Sequence, residues 1–232
     1  MSSLRTSPTS SLSSPSHLSA PLALLAAVLL ALAGLVAVPG PAHAATYTAS
    51  VTRAVADLPG ATERRTGYDR SLFVHWVDAD GDGCDTREEV LLAEADAAPS
   101  TGAGCAISGG RWFSYYDATS YTAASSLDID HMVPLAEAWD SGASGWTSTR
   151  RRAFANDLGY AGSLVAVSAA TNRAKGDQDP AEWMPPAGYR CRYVTEWVSV
   201  KHRWGLSVDS AERSALTSLA SGCSQTVSVT VY

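Results

Sequence analysis

The chain reads as an α+β protein of short antiparallel strands and flanking helices, stapled by disulfides. Three observations carry that reading. Apolar and acidic residues alternate through Leu127-Asp128-Ile129-Asp130, the period of a half-buried strand, and Pro134 marks where it must end. A second apolar run at 164–167 is followed at once by a helical pattern over 169–176, so strand, strand and helix succeed one another. Cys84, Cys105, Cys191 and Cys223 are even in number and follow a secretory leader, which reads as two disulfides. Three pairings are possible; the sequential one, Cys84–Cys105 and Cys191–Cys223, closes the shortest loops and is the one expected.

The leader is residues 1–44. A Ser/Thr/Pro-rich opening with Arg5 precedes an apolar run from Pro21 to Val38, and Ala42-His43-Ala44 is a small-x-small cleavage site. The run is long enough to approach a membrane span, but Pro39-Gly40-Pro41 and the cleavage site favour removal. The expectation is one secreted domain, 45–232, with no membrane attachment after cleavage. The formal charge of −6 argues against coating nucleic acid by bulk attraction, without excluding a locally basic groove.

In chain order, residues 49–58 predict a short helix with Val51, Ala54, Val55 and Leu58 on one face, stopped by Pro59. Residues 71–77 look like a strand, with Phe73, Trp76 and Val77 as core candidates. Residues 87–95 form a helix capped by Thr86 and Glu89. Strands follow at 111–116 and 121–134, and a loop or short helix at 136–146. A helix at 149–158 carries Arg150, Arg151 and Arg152. Asp179-Pro180-Ala181-Glu182 resembles a helix cap with proline at the first position. An amphipathic helix over 189–204 ends at Gly205, Asp209 caps another, and 225–232 alternates as a last strand. Trp139, Trp146 and Trp183 read as core, and Glu137 as structural.

Residues 78–89 fit a calcium-loop template: Asp78, Asp80 and Asp82 at positions one, three and five, Gly83 at six, Glu89 at twelve. Asp and Gly also dominate tight turns, and a Thr86/Glu89 cap would compete for the Glu89 carboxylate. A structural Ca²⁺ and a plain turn both stand as readings.

Asp130 and His131 end a strand, and Asn172, Arg173 and Lys175 follow the next one. Asp-Ile-Asp-His-Met-Val-Pro-Leu, with the later Leu-Val-Ala-Val-Ser-Ala-Ala-Thr-Asn-Arg-Ala-Lys-Gly-Asp, resembles the HNH branch of the ββα-metal endonucleases. It is most similar to secreted actinobacterial HNH proteins related to the C-terminal nuclease domain of GmrSD-type restriction enzymes. The resemblance implies a ββα-metal core at about 121–183 and an extracellular endonuclease of low sequence specificity, acting on DNA and possibly RNA. It implies His131 as general base, and one divalent ion, Mg²⁺ or Mn²⁺, on Asp130 and Asn172, with Asp128 as a supporting or alternative ligand. Lys175 and Arg173 would contact phosphates, and Arg151 would add to substrate binding; cleavage would leave a 5′-phosphate. The pattern's middle asparagine, which braces the histidine loop, falls at Ser163, and Asn156 on the preceding helix is the substitute candidate. Competing expectations are a calcium-binding extracellular module with a decayed site, and a hydrolase of another phosphodiester polymer.

Overall fold

The computed structural model describes residues 45–232; the leader expected at 1–44 lies outside the described residues. The elements begin with β1 (Thr46–Ser50), α1 (Val51–Asp57), α2 (Thr86–Ala93), β2 (Ser100–Thr101), β3 (Ile107–Ser108), β4 (Trp112–Ser114) and β5 (Thr119–Tyr121). They continue with β6 (Leu127–His131), α3 (Leu135–Asp140), α4 (Ser148–Ala155), β7 (Leu164–Ser168), α5 (Ala169–Lys175), α6 (Arg190–Trp204), α7 (Ser210–Ala220) and β8 (Thr226–Thr230). Among the described residues these strands pair antiparallel in twos: β1 with β8, β2 with β3, β4 with β5, β6 with β7.

The core is organised on α6, whose Tyr193, Val194, Trp197 and Val198 are fully buried beneath α1, α7 and β8. Gly205 ends it at φ 64, a conformation open to glycine because it lacks Cβ. Both disulfides have the sequential pairing, Cys84–Cys105 and Cys191–Cys223. The second ties the start of α6 to the chain just after α7.

The β6–β7 pair has a different environment on each face. Leu127, Ile129, Leu164 and Ala166 pack with Val90, Leu91 and Trp112 in a small second core. Val165 and Val167 join the main core on the opposite face, the face that also carries Asp128 and Asp130. The outer edge of β7 is satisfied by side chains. The Ala166 N–H donates to Glu94 (2.8 Å) and the Ser168 N–H to Ser114 Oγ (3.0 Å). Burial pushes the Glu94 carboxyl up to about 7 despite that bond. A carboxyl raised in the fold favours folding most below about pH 4.5, and that advantage disappears as pH rises through about 7. Glu94→Gln keeps the acceptor and removes the charge. It is expected to stabilise by about 1–2 kcal/mol at pH 8, after discounting for partial solvent contact, and by nothing at pH 4.5. Urea unfolding at the two pH values checks this; equal effects would contradict it.

Several sequence expectations need correction. The first helix begins at Val51 because residues 46–50 pair with β8, and Ser50 Oγ then caps it from Arg53 N (3.3 Å). Residues 71–77 are not a strand: a 3-10 turn, Arg70–Leu72, leads into irregular backbone in which Trp76 takes φ 58. The expected strand 121–134 is divided. β5 ends where Tyr121 pairs with Trp112, and a 3-10 turn, Ala124–Ser126, redirects the chain into β6. No helix follows Asp179, although its Oδ1 accepts from Ala181 N (2.6 Å), because Pro185 and Pro186 lack the N–H groups needed to extend the turn. Trp139 is buried as expected, while Trp146 and Trp183 are half-buried against the core.

The cap of α2 is also shifted by one residue. Asp85 is the N-cap and Glu88 closes the capping box, while Thr86 Oγ1 donates to Val77 O (3.0 Å) and Asn156 Oδ1 (2.9 Å). Glu89 is thereby left free of the cap.

Candidate active site

Strand register and helix phase together build the site. In β6, Asp128 and Asp130 share one face and His131 turns to the other. Ser168 closes β7 and caps α5, its Oγ accepting from Thr171 N (3.2 Å), so the helix runs back across the acidic face. Residues 172 and 175 are one helical turn apart and meet strand residues two apart. Asn172 Nδ2 donates to Asp128 Oδ2 (3.3 Å) and Lys175 Nζ to Asp130, 2.9 Å from Oδ2 and 3.1 Å from Oδ1.

Lys175 has no solvent exposure. Its ammonium also donates to His131 O (3.3 Å) and sits 5.9 Å from the Trp197 ring centroid. Tyr116 Oη donates to Asp130 Oδ2 (2.6 Å), so both oxygens of that carboxylate are engaged. Burial pushes Asp130 up and Lys175 down, and their mutual attraction opposes both shifts. A Lys175 contact to a substrate phosphate, expected from the sequence, has no path in this arrangement.

His131 is buried on the opposite face, its ring near Trp76 (centroids 5.7 Å apart), His75 (6.2 Å) and Phe154 (6.4 Å). Its Nε2 lies 3.0 Å from Ala155 O. A carbonyl can only accept, so Nε2 carries the proton and Nδ1 keeps the lone pair. Burial holds the imidazole down to about 3, so the ring is neutral at physiological pH.

The brace behind the histidine is Asn156, immediately after Ala155. Its Oδ1 accepts from Val77 N (3.0 Å) and Thr86 Oγ1, and its Nδ2 donates to Val74 O and Arg152 O (both 2.8 Å). It pins the end of α4 to segment 74–77. Ser163 supports the other side: its carbonyl accepts from Met132 N (3.0 Å) and its hydroxyl donates to Asp157 (2.7 Å). Asp157 is in turn held by Arg203 (2.7 and 2.8 Å) and Trp204 Nε1 (3.0 Å).

Asp130, His131, Asn172 and Arg173 line one polar cleft of about 180 Å³, together with Arg70, Pro134 and Asp177. Arg173 lies 3.7 Å from Asp128 with its side chain largely exposed. Arg151 is not brought here. Its guanidinium donates to Leu72 O, Ala143 O and Trp146 O and lies over Trp139, which makes it a clamp for the loops around α4. Sequence reasoning missed Arg70, Tyr116 and the Ala155 carbonyl. Tyr116 carried a signal as an aromatic next to a strand; a backbone carbonyl and an arginine on a short 3-10 turn carry none.

The loop 78–89 has its own acidic cluster. Asp78, Asp80 and Asp82 each bring a carboxylate oxygen within 4.8 Å of the others. Backbone N–H groups of Gly81, Gly83 and Cys84 donate to Asp78 and Asp82. Burial and the facing Asp82, Asp80 and Asp78 raise the Glu89 carboxyl. Among the described residues, no helix is long and apolar enough to cross a membrane.

Residues 87–219 match the family model for GmrSD restriction endonucleases, C-terminal domain, a span that contains β6, β7 and α5. An uncharacterized secreted protein of Arthroderma benhamiae is 45% identical over 192 residues, covering 81% of this chain and 93% of that protein. That relative is fungal, so the kinship reaches beyond the actinobacterial proteins that the motifs resemble. No solved structure matches. The match spans more than half of the chain, and the chain belongs to the family of GmrSD restriction endonuclease C-terminal domains.

Proposed function

We propose that this protein is an extracellular, metal-dependent endonuclease of the HNH type, hydrolysing phosphodiester bonds of DNA with little sequence specificity. Membership of a nuclease family supports the reaction class. The observation that carries the assignment of roles is the His131 Nε2 contact to Ala155 O, which leaves Nδ1 as a lone pair on a residue lining the acidic cleft. Two disulfides and the secreted fungal relative support an extracellular setting.

The donors present fit a hard divalent ion. Asp130, whose oxygens already accept from Lys175 and Tyr116, with Asp128 and the Asn172 amide oxygen, offers few protein oxygens and leaves room for water and phosphate, as Mg²⁺ requires; the cleft lining carries one imidazole, His131, and no thiolate, which does not suit zinc. When bound, Mg²⁺ or Mn²⁺ would polarise a phosphoryl oxygen. His131 Nδ1, left as a lone pair by the Nε2 contact to Ala155 O, takes the proton of the attacking water. Arg70 and Arg173, on the cleft wall, pair with non-bridging phosphate oxygens. Lys175 is a positioning residue: it holds the Asp130 carboxylate in place and ionised. Asn156 and Ser163 hold the chain that presents His131.

Supercoiled plasmid and single-stranded RNA, each incubated with purified protein and Mg²⁺ or Mn²⁺, test the reading. Nicking and linearisation of the plasmid, stopped by a chelator, are expected. A plasmid left intact across metals and pH would favour a decayed module, or a hydrolase of another phosphodiester polymer.

A structural Ca²⁺ at residues 78–89 is a second proposal, supported by the release of Glu89 from the helix cap. At a hundredfold excess over Kd, Ca²⁺ is expected to add about 2.7 kcal/mol, or roughly 5–10 °C in Tm. Asp80→Ala should remove the part of that gain that the 78–89 loop contributes. A Ca²⁺ response unchanged in Asp80→Ala would sink the idea.

A further inference from the structure

Around Glu137 and Asp140 of α3, carboxylates meet without enough cations to balance them. Glu63, Glu137 and Asp140 each place a carboxylate oxygen within 4.8 Å of the other two. Glu63 also belongs to a second such group with Asp179, Asp209 and Glu212. Glu137, Asp140, Asp179 and Glu212 are all more than nine-tenths buried, while Glu63 is exposed at the mouth.

The cations present are already committed. Lys201 Nζ donates to Glu137 Oε1 (2.7 Å) and Glu212 Oε2 (2.7 Å), as well as to Ser141 Oγ and Ser207 O. Arg65 is half-exposed and divides its guanidinium between Asp140 Oδ2 (2.6 Å) and Asp177 (3.2 Å). Asp140 Oδ1 is buried and accepts no hydrogen bond among the described residues. A buried carboxylate oxygen with no donor is costly unless something fills its lone pairs. Glu137 spends only Oε1 on Ser141 and Lys201. Asp179 and Asp209 each spend Oδ1 on a backbone N–H, from Ala181 and Glu212.

We propose that Glu63, Glu137 and Asp140 bind a hard divalent cation of the calcium class, with Asp179 and Asp209 completing its acidic surroundings. Oxygen-only donors at this spacing suit Ca²⁺, which accepts mixed carboxylates and water in irregular geometry. The site would fasten the 63–65 segment to α3 and so to the chain that leaves His131. Burial and the facing Glu137 carboxylate push Glu63 up to about 7, in keeping with charges that lack a counter-ion.

The test uses Asp80→Ala protein, in which the 78–89 loop is disabled, and compares it with Asp80→Ala/Glu63→Gln. Glu63 is exposed, so the second change is compatible with folding. Calcium titrated by calorimetry should bind the first protein and raise its Tm, and Glu63→Gln should weaken the tightest site at least tenfold. Asp140→Asn, which also keeps the shape, should weaken it similarly. Absence of calcium binding in the Asp80→Ala protein would overturn the proposal, leaving shared protons to neutralise the cluster. Equal affinity with and without Glu63→Gln would overturn it too, by placing the ion elsewhere.

Discussion

His131→Ala is expected to lower metal-dependent plasmid cleavage by about 10²–10⁴-fold while leaving substrate binding nearly unchanged. That range is what removal of a positioned general base costs. The imidazole is neutral because it is buried, and its orientation is fixed because Nε2 is tied to Ala155 O. Alanine also vacates a space between Phe154 and Trp76, so circular dichroism must accompany the assay. His131→Gln separates the two effects: its amide can still donate to Ala155 O but offers no basic nitrogen. Both variants should be equally inactive. An active His131→Gln enzyme would remove His131 as the base.

Lys175→Met is expected to cost about 3–5 kcal/mol of stability, the range for breaking a buried pair by removing one partner. Methionine fills nearly the same volume beside Trp197 but leaves Asp130 with Tyr116 Oη as its one remaining hydrogen-bond donor among the described residues. For a chain of this size the loss corresponds to roughly 10 °C in Tm. Adding Asp130→Asn should recover a large part of it, because the uncompensated charge goes. A loss below about 1 kcal/mol would mean that the pair is not the ionic contact described. The double variant should remain inactive, since the restored stability returns no anionic oxygen to the cleft.

What the sequence made legible was set by local periodicity. The alternation at 127–130, the run at 164–167 and the helical pattern over 169–176 are all properties of adjacent residues; they matched β7 and α5, and β6 inside a longer expected strand. What escaped depended on distant partners. Residues 46–50 extend as β1 only because β8 offers a register 180 residues away. Trp76 takes a left-handed φ in a segment that Asn156 holds from α4 through Val74 O and Val77 N. Two overlapping cap patterns fit at 85–89, and the long-range bonds of Thr86 to Val77 and Asn156 accompany the earlier one. Lysine is read as solvent-facing by default, yet Asp130, Tyr116 and Trp197 together enclose Lys175. Asp128, Asp130, His131 and Asn172 were therefore visible as a constellation, while the buried Lys175–Asp130 pair and the His131 contact to Ala155 O came from the structure.

In the proposed reaction, water deprotonated by His131 and assisted by a divalent ion in the cleft attacks the phosphodiester. The most direct measurement is end-group chemistry on plasmid cleaved with Mg²⁺. The expected products carry 5′-phosphate and 3′-hydroxyl ends, form only with metal, and disappear in a chelator. Products ending in 3′-phosphate, or cleavage undiminished in the chelator, would contradict it.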